Sequence, residues 1–317
     1  MVDLSVVIPV YNEALNLEEL YAEFTDVLER WGRSYELIFV DDGSSDGSVQ
    51  VLETLPAKDA RVRVIQFRRN FGQTAAFAAG FAAARGTLIA TADGDLQNDP
   101  RDLPRMVEKV EAGYDIVCGW RKDRKDTFIN RRLPSLIANW LISRSTGVTL
   151  NDYGCSLKVF RAEVVKPLKL YGEMHRFLPA LASEMGVRIT EEVVNHRPRT
   201  RGRSKYGISR TVRVVLDLLT VKFLLSYATR PLHVFGTIGF GLGSLGAVIL
   251  LVLAYGRFVT GTISLNERLP LFLFGILLGF AGLQLLILGL LAELQVRTYH
   301  ESQNKATYVV RRIIERP

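Results

Sequence analysis

Two long stretches in the last third of the chain carry no charged side chain. Residues 231–256 and 269–292 contain no Asp, Glu, Lys or Arg over 26 and 24 consecutive positions. An α-helix rises about 1.5 Å per residue, so about 20 apolar residues cross the hydrocarbon core of a bilayer. Both stretches exceed that length, and we expect each to form a membrane-spanning helix.

Positive charge flanks these two stretches unevenly. Residues 197–230 carry nine Lys or Arg and the tail from Leu294 carries five, whereas the connecting segment has only Arg257 and Arg268. Cytoplasmic flanks of membrane proteins hold the excess of basic residues. We therefore expect a two-span protein of a cell's inner membrane, with its N-terminal domain and both termini in the cytoplasm.

The composition of the spans indicates an anchor. Channels and pumps place charged groups inside the membrane, and neither stretch contains an acidic side chain, a lysine or an arginine. The first span is rich in glycine, which allows close helix packing within one chain or between the subunits of a homo-oligomer. These glycines are Gly236, Gly239, Gly241, Gly243 and Gly246.

The segment directly before the first span is amphipathic at helical spacing. Such a helix packs either on a protein core or at a membrane interface, and its position favours an interfacial helix over residues 208–230. One face carries Arg210, Arg213, Asp217 and Thr220, and the other carries Val212, Val215, Leu216, Leu219 and Phe223.

Overall charge and cysteine content narrow the class of partner. A net charge of +7 suits nucleic acid, anionic lipid or a phosphorylated substrate. We expect no nucleic acid as a partner, because the chain has neither zinc-ligand spacing nor an RNA-binding signature.

Cys118 and Cys155 lie far apart, which favours reduced thiols in a cytosolic compartment. A strand pattern begins at Leu4 with no basic or cleavage region before it, so we expect no signal peptide.

The first 200 residues alternate between short apolar runs and helical patterns. Strands of this kind, joined by helices, predict a doubly wound α/β domain with a mainly parallel sheet. Predicted strands cover residues 4–10, 35–40, 62–67, 87–90, 115–119 and 187–194, and predicted helices cover residues 16–30, the segment ending at Leu55, and residues 74–84.

A group of carboxylates follows the strand at residues 87–90. Asp93 and Asp95 alternate along an extended loop, which directs both carboxylates toward one hard cation at the carboxyl edge of the sheet. A solvated turn is the alternative interpretation. A calcium loop of the EF-hand type is excluded, because the sixth position is Asn98 instead of Gly and the twelfth is Pro104 instead of Glu.

A second polar turn follows the strand at residues 35–40. Residues 41–47 lack the glycine pattern of a dinucleotide-binding loop. A carboxylate at this position accepts hydrogen bonds from a base or a ribose, but an ordinary polar turn has the same composition. The residues alone leave both interpretations open.

Two basic segments lie farther along the chain. Residues 120–126 (WRKDRKD) follow a predicted strand, and residues 196–207 (HRPRTRGRSKYG) precede the interfacial helix. Dense positive charge in a loop at the carboxyl edge of a sheet suits a phosphorylated ligand. A solvated charged run is the alternative for the first segment, and attraction to anionic lipid is the alternative for the second.

Three motifs occur in order and together resemble the family-2 inverting glycosyltransferases of GT-A fold. They are VIPVYNE at residues 7–13, VDDGSSDG at 40–47 and ADGDLQ at 92–97. The branch that the chain resembles most is the polyprenyl-phosphate glycosyltransferases, which include dolichyl-phosphate mannose synthases and bacterial undecaprenyl-phosphate glucosyltransferases. The resemblance covers about residues 3–210, and residues 151–160 (NDYGCSLKVF) match an acceptor-side motif of the family.

The resemblance assigns expected roles to particular residues. It implies nucleotide binding by Pro9, Tyr11, Glu13, Val40, Asp42, Asp93, Gly94, Arg199 and Lys205. It implies Mg²⁺ or Mn²⁺ binding by Asp93, Asp95 and Gln97, acceptor-phosphate binding by Arg121 and Arg131, and catalytic roles for Asp95, Arg121 and Asp152. Gly94 replaces an Ala that is common in the family, a change that we expect to be harmless.

Asp152 is either a base or a residue that orients the acceptor. A phosphate monoester has a second pKa of roughly 6, so the acceptor needs little deprotonation near neutral pH. A role for Asp152 in positioning the acceptor phosphate is therefore sufficient for the reaction.

The resemblance and the spans together give a complete hypothesis. A cytoplasmic GT-A catalytic domain (residues 1–207) precedes the juxtamembrane helix (208–230), a two-helix transmembrane anchor (231–293) and a cytoplasmic tail (294–317). The implied reaction is metal-dependent, inverting transfer of one sugar from a nucleotide diphosphate sugar to a polyprenyl phosphate such as undecaprenyl phosphate.

The two-span arrangement favours UDP-glucose as the donor, with GDP-mannose as the alternative. Two other classes are weaker: a processive polysaccharide synthase, for which no Gln-x-x-Arg-Trp motif is present, and a non-catalytic membrane scaffold or lipid-binding protein.

Overall fold

The chain forms two units, each described here by itself. One comprises residues 1–221 and 306–317, and the other comprises residues 222–305. The amphipathic segment 208–230 and the site candidates Arg131, Arg199 and Lys205 lie outside the described residues. The computed structural model describes residues 2–122, 143, 147–170, 174–183, 185–198, 231–261, 264, 267–302 and 308–316.

The first unit follows the predicted alternation of strands and helices. Its strands are β1 (Leu4–Val10), β2 (Tyr35–Asp41), β3 (Val62–Phe67), β4 (Leu88–Thr91), β5 (Ile116–Trp120), β6 (Lys158–Arg161), β7 (Ile189–Val193) and β8 (Val310–Ile314). Its helices are α1 (Leu17–Trp31), α2 (Ser48–Lys58), α3 (Gln73–Ala83), α4 (Leu103–Glu111), α5 (Ala162–Val165) and α6 (Leu178–Ser183), with 3₁₀ turns at Pro100–Asp102 and Met174–Phe177.

All eight strands belong to one sheet, in the order β7-β5-β6-β4-β1-β2-β3-β8. β1 pairs in parallel with β2 and β4, β2 with β3, and β5 with β7. β6 runs antiparallel to both β4 and β5, and β8 runs antiparallel to β3. The expected mainly parallel α/β sheet is confirmed, and the carboxyl ends of β1, β2 and β4 meet at one edge.

Burial explains why the apolar runs form the centre of the sheet. Every residue of β2 and β3 is buried, since helices cover both faces of a doubly wound sheet. Helix α1 turns one stripe toward this core through Leu17, Leu20, Phe24 and Leu28, which are spaced three or four residues apart. The predicted helix at residues 16–30 is confirmed.

The two antiparallel strands have no counterpart in the predicted strand set. β6 has only four residues, and Lys158 and Arg161 begin and end it. β8 has the sequence VRRII and lies near the end of the chain, within the segment 294–317 that we expected to be a tail. Pairing with β3 therefore brings the polypeptide back to the α/β sheet after the second apolar stretch.

The second unit consists of two long helices, α7 (Pro231–Phe258) and α8 (Leu269–Ser302). The segments Phe235–Phe258 and Leu269–Leu291 are long and apolar enough to cross a membrane, with mean hydropathies of 2.2 and 2.5. Only 17% and 11% of their most apolar windows are buried inside the protein, so most of these side chains face outward.

Glycine permits the close approach of α7 and α8. A Cβ atom on Gly239 would lie 2.6 Å from the carbonyl oxygen of Gly282, and one on Gly246 would lie 2.6 Å from that of Gly275. The backbones therefore touch at two places that no larger residue could occupy without displacing a helix. The composition left packing within the chain or between subunits open, and the structure shows these glycines in contact with α8 of the same chain.

Candidate active site

Three neighbouring parallel strands deliver polar turns to the same edge of the sheet. β1 ends at Val10, β2 ends at Asp41, and β4 ends at Thr91, two residues before Asp93. Main-chain hydrogen bonds continue past the strand ends. Asp42 N–H donates to the Val10 carbonyl oxygen (2.8 Å), and Ala92 N–H donates to the Val7 carbonyl oxygen (3.2 Å). Open α/β sheets bind ligands at this edge.

The turn after β1 is joined to the turn after β2. Asn12 adopts a φ of 53°, which asparagine tolerates better than most residues. Its N–H donates to Ser44 Oγ (3.0 Å), and its Oδ1 accepts from Ser45 N–H (2.7 Å). Glu13 N–H donates to Ser48 Oγ (2.9 Å). Sequence reasoning assigned no role to Asn12, Ser44 or Ser45, although all three lie within the quoted motifs.

The proposed nucleotide-binding residues differ in exposure. Tyr11 is exposed at this edge, whereas Val40 is fully buried within β2. Glu13 accepts a hydrogen bond from Asn16 Nδ2 (2.7 Å). Gly94 lies against the end of β1, since a Cβ atom there would lie 3.1 Å from the Pro9 carbonyl oxygen.

Asp42 faces the loop between β3 and α3. Its Oδ1 accepts from Phe71 N–H (2.7 Å), and its Oδ2 accepts from Gly72 N–H (2.9 Å). Burial raises the pKa of Asp42, and the two N–H donors only partly offset this effect. Gln73, which directly follows this loop, contacts the acidic loop after β4, because its Nε2 donates to Asp93 Oδ1 (2.8 Å).

The acidic loop after β4 alternates between exposed and buried positions. Asp93, Asp95 and Gln97 are partly exposed, whereas Gly94 and Leu96 are buried. Leu96 adopts a φ of 63°, and Gln97 N–H donates to Asp95 Oδ1 (3.2 Å). The predicted alternation is therefore present.

The donor set of this loop fits a hard divalent cation. Two carboxylates and one amide oxygen lie on the partly exposed side of the loop, and oxygen ligands of this kind suit Mg²⁺ or Mn²⁺. The described residues contain no cluster of three His, Cys, Asp or Glu side chains. A cation at Asp93, Asp95 and Gln97 would consequently take its remaining ligands from water or substrate.

Asn98 fixes this loop to the segment before β6. Its Oδ1 accepts from Asp93 N–H (2.8 Å) and from Ser156 Oγ (3.0 Å). Thr91 Oγ1 donates to the Ser156 carbonyl oxygen (2.6 Å). Sequence reasoning treated Asn98 only as a mismatch to a calcium loop, and the structure shows it buried at the junction of two loops.

Arg121 and Asp152 form a bidentate ion pair on this side of the sheet. Arg121 follows β5 and Asp152 precedes the antiparallel β6, so both lie at the edge that carries the acidic loop. Arg121 Nε lies 2.7 Å from Asp152 Oδ2, and Nη2 lies 3.0 Å from Oδ1. Asp152 is 3% exposed.

The environment keeps the Arg121 guanidinium charged. Burial alone would lower the pKa of Arg121, but the negative charges that Cys155 carries once ionised and that Asp152 carries as a carboxylate outweigh that effect and raise it. Asp93 acts in the same direction, which places Arg121 within electrostatic reach of the acidic loop. Burial raises the pKa of Cys118 to about 12 and that of Cys155 to about 11, so both remain thiols at neutral pH.

Glu191 on β7 orients the segment that carries Asp152. Its carboxylate accepts from the N–H of Asn151 (2.9 Å), from the N–H of Asp152 (3.1 Å) and from Asn151 Nδ2 (2.7 Å). Sequence reasoning missed this role, because the partners lie about 40 residues apart and belong to no shared motif.

The part of the second basic segment that the structure describes is attached to the acidic loop. Arg197 N–H donates to the Gln97 carbonyl oxygen (3.1 Å), and the Arg197 guanidinium lies 2.9 Å from Asp99 Oδ1 and 2.7 Å from Glu23 Oε2. Burial would raise the pKa of Asp99, but hydrogen bonds from Asn195 and the Arg101 and Arg197 groups lower it. Arg199 follows two residues later.

Comparisons with a family model and with known proteins all indicate the same family. The family model described as "Glycosyl transferase family 2" matches residues 5–168. The dodecaprenyl-phosphate galacturonate synthase of Rhizobium johnstonii is 45% identical, with 99% of this chain and 93% of that protein covered. The undecaprenyl-phosphate 4-deoxy-4-formamido-L-arabinose transferase of Shewanella sediminis is 40% identical over 98% of this chain and 92% of that protein.

Solved structures show the same fold. The glucosyl-3-phosphoglycerate synthase of Mycobacterium tuberculosis, determined with Mn²⁺, UDP and glucosyl-3-phosphoglycerate, superposes with a TM-score of 0.54. The sequences are 19% identical, and the alignment covers 69% of this chain and 79% of the other. The likeness extends over the α/β architecture.

Proposed function

The chain belongs to glycosyltransferase family 2, and we propose that it transfers one sugar from a nucleotide diphosphate sugar to a polyprenyl phosphate. One observation carries this proposal: the acidic loop with Asp93 and Asp95 and the ion pair of Arg121 with the buried Asp152 lie at the same edge of one sheet. An anionic donor and an anionic acceptor can meet there. Two relatives that match nearly the whole chain are named for polyprenyl-phosphate substrates.

The donor half of the proposed site is the edge formed by β1, β2 and β4. Nucleotide contacts fall to Pro9, Tyr11, Glu13 and Asp42, while the fully buried Val40 supports this edge from within β2. Asp93, Asp95 and Gln97 would hold Mg²⁺ or Mn²⁺. When bound, the cation neutralises charge on the leaving diphosphate. Mn²⁺ and UDP in a structural neighbour support this part of the proposal. Gly94 lets the acidic loop approach Pro9, and Arg199 and Lys205 add positive charge.

The acceptor half is organised by Arg121, with Arg131 as a further candidate. The guanidinium binds the lipid phosphate, and Asp152 holds the guanidinium in place through two hydrogen bonds. A phosphate oxygen attacks the anomeric carbon and forms the new C–O bond. The bond from that carbon to the diphosphate oxygen breaks, its electron pair leaves with the nucleoside diphosphate, and the configuration inverts. No proton transfer is required, because the phosphate monoester is already largely ionised.

The relatives favour a donor other than glucose. One is named for galacturonate and the other for 4-deoxy-4-formamido-L-arabinose, so they do not support UDP-glucose. We propose a UDP-linked galacturonate as the donor, because the galacturonate synthase is the more similar of these two proteins. UDP-glucose and GDP-mannose remain donors to be compared with it.

The proposed location is the inner membrane, with the α/β unit on the cytoplasmic side. Two apolar helices are long enough to cross a bilayer, and the basic residues lie on their outer flanks. A lipid phosphate at the inner leaflet is then accessible to a domain that receives soluble nucleotide sugars from the cytoplasm.

A donor comparison with the full-length protein tests this proposal. The purified protein in lipid nanodiscs receives undecaprenyl or dodecaprenyl phosphate, Mg²⁺ or Mn²⁺, and one donor at a time: UDP-galacturonate, UDP-4-deoxy-4-formamido-L-arabinose, UDP-glucose or GDP-mannose. We expect acceptor-dependent release of UDP from UDP-galacturonate and loss of this release in Asp95→Asn. Folded protein that releases no nucleotide from any donor would refute the transferase proposal and favour a scaffold. Release from a different donor would refute only the sugar.

A further inference from the structure

Three consecutive residues, the last two of the loop between β3 and α3 and the first of α3, hold two carboxylates of the proposed donor site. Phe71 and Gly72 donate their backbone N–H groups to Asp42, and Gln73 donates its side-chain amide to Asp93. Asp42 follows β2 and Asp93 follows β4, so this one loop connects the ends of two strands that are not neighbours in the sheet. Displacement of the loop would disturb both carboxylates together.

The loop is packed tightly on its inner side. A Cβ atom on Gly43 would lie 2.5 Å from the carbonyl carbon of Arg69 and 2.6 Å from the nitrogen of Asn70. Gly43 has a φ of 70° and Gly72 a φ of 95°, which are values that glycine adopts most readily. Two glycines thus allow the loop to lie directly on the turn that follows Asp42.

The other side of the loop contacts the chain segment that returns from the apolar helices. Arg68 N–H donates to the Val309 carbonyl oxygen (3.2 Å). The Tyr308 ring stacks on Phe67 with centroids 5.2 Å apart and an interplanar angle of 17°. Phe67 also meets Phe71 edge to face at 5.7 Å. A row of three rings therefore ends at the residue whose N–H binds Asp42.

β8 holds Tyr308 and Val309 at this end of the sheet. It pairs with β3 from Val310 opposite Phe67 to Ile314 opposite Val64. At its far end, Glu315 lies 2.9 Å from Arg63 Nε and 3.0 Å from Arg85 Nη2. The strand is therefore anchored at the edge opposite the site, and it delivers Tyr308 to the loop.

We propose that β8 and Tyr308 are positioning elements of the donor site. This inference rests on the proposed function for its substrate, but its physical basis is the contact between Tyr308, the loop at residues 68–73 and Asp42. Tyr308 keeps the loop in the conformation that fixes Asp42 and Asp93. The segment that follows the membrane anchor thus completes the nucleotide-binding side of the catalytic domain.

The test compares two full-length variants, one at Tyr308, two residues before β8, and one within β8. Tyr308→Ala removes the stacked ring, and the matched control Ile313→Ala shortens a side chain of the same strand that is 52% exposed. Binding of UDP with MnCl₂ is measured by calorimetry, and KM is measured separately for the donor and for undecaprenyl phosphate. We expect Tyr308→Ala to weaken UDP binding and raise the donor KM about three- to tenfold, the effect of one aromatic pair. The acceptor KM should change less than about twofold, as should all values in Ile313→Ala.

A ligand-free measurement makes the inference independent of the reaction. Hydrogen–deuterium exchange reports on the amides of Phe71 and Gly72, which should exchange faster in Tyr308→Ala and unchanged in Ile313→Ala. Equal protection in both variants, or equal increases in donor and acceptor KM, would overturn the proposed role. A wild type that binds no UDP would refute a UDP-linked donor, and the exchange data would still decide the role of Tyr308.

Discussion

At the scale of single residues, the two oxygens of Asp152 distinguish two possible chemical roles. Both accept hydrogen bonds from the Arg121 guanidinium, and Glu191 fixes the backbone beside them. A carboxylate engaged in this way is suited to hold an arginine. The geometry therefore favours the orienting role over the base role that the sequence left open.

Asp152→Asn tests this assignment. The amide cannot hold both guanidinium nitrogens, so kcat/KM for the polyprenyl phosphate should fall about ten- to a hundredfold. Arg121→Lys should cause a similar loss, because lysine retains the charge but lacks the planar fork. The acid limb of the pH–rate profile should stay in place in Asp152→Asn. Disappearance of that limb would identify Asp152 as the base.

Asp41 and Asp59 provide a matched pair for the effect of pH on stability. Burial raises the pKa of Asp41, whose Oδ2 finds no hydrogen-bond partner among the residues that the structure describes. Burial also opposes ionisation of Asp59, but hydrogen bonds from Arg61 outweigh it and lower the pKa. Asp41 therefore favours the folded state most below the unfolded pKa near 3.8, and this contribution is lost as pH rises through its folded pKa. Asp59 contributes above its unfolded pKa, and its contribution is lost as pH falls through its folded pKa.

The two substitutions should shift thermal stability in opposite directions. At pH 8, Asp41→Asn should raise Tm relative to the wild type, because a buried charge without a second partner is removed. Asp59→Asn should lower the free energy of unfolding at the same pH by about 1–3 kcal/mol, through loss of charge-assisted hydrogen bonds. Melting curves of both variants at pH 5 and pH 8 measure the effect. A lower Tm for Asp41→Asn at pH 8 would contradict the sign assigned to that group.

Gly94 tests how tightly the acidic loop lies against β1. The position does not require a left-handed backbone, so Ala is conformationally allowed, but its Cβ would lie 3.1 Å from the Pro9 carbonyl oxygen. We expect Gly94→Ala to change kcat/KM for the donor by less than about threefold, and Gly94→Val to lower it by at least about tenfold. Equal activities for the two variants would show that Pro9 moves freely.

At the scale of elements, the sequence predicted the strands that a local residue pattern identifies and missed those that depend on contacts distant in the chain. β1 and β3 match the predicted strands residue for residue, because continuous apolar runs between turns identify strands buried on both faces. β6 and β8 escaped prediction because each is short and carries basic residues, and tertiary pairing creates them. The alternation of Asp93 and Asp95 followed from local backbone geometry. The roles of Gln73 and Glu191 could not be predicted from local geometry, because their hydrogen-bond partners lie about 20 and 40 residues away in the sequence.

The packing of α7 on α8 depends on individual glycines. Gly239→Leu or Gly246→Leu should separate the helices, since each new side chain would overlap a backbone carbonyl of α8. Gly241→Leu is the control, because a Cβ atom there would meet nothing within 4 Å. We expect the first two variants to lose at least about 5 °C in Tm in detergent and the control to lose less than about 2 °C. Equal losses in all three would show that the glycines do not determine this contact.

At the scale of the whole molecule, the α/β unit holds the chain on both sides of the apolar helices. The unit contains residues 1–221 and 306–317, and β8 pairs with β3 inside it. A chain that leaves a folded unit and returns to it must cross a membrane an even number of times. Two spans satisfy this condition, and one span or three would not. The pairing of β8 is thus compatible with two membrane crossings but not with one.

Cysteine labelling tests both the crossing number and the orientation. The native Cys118 and Cys155 are fully buried, so the wild type should react little with a membrane-impermeant maleimide. Single substitutions at exposed positions report on each side: Glu18→Cys in α1, Ser264→Cys between the spans and Arg311→Cys in β8. In intact spheroplasts we expect labelling of Ser264→Cys alone, and after lysis all three should react. Labelling of Glu18→Cys and Arg311→Cys but not Ser264→Cys would reverse the orientation and place the proposed site away from cytoplasmic nucleotide sugars. If Glu18→Cys and Arg311→Cys reacted on opposite sides, the pairing of β8 with β3 within one chain could not hold in the membrane.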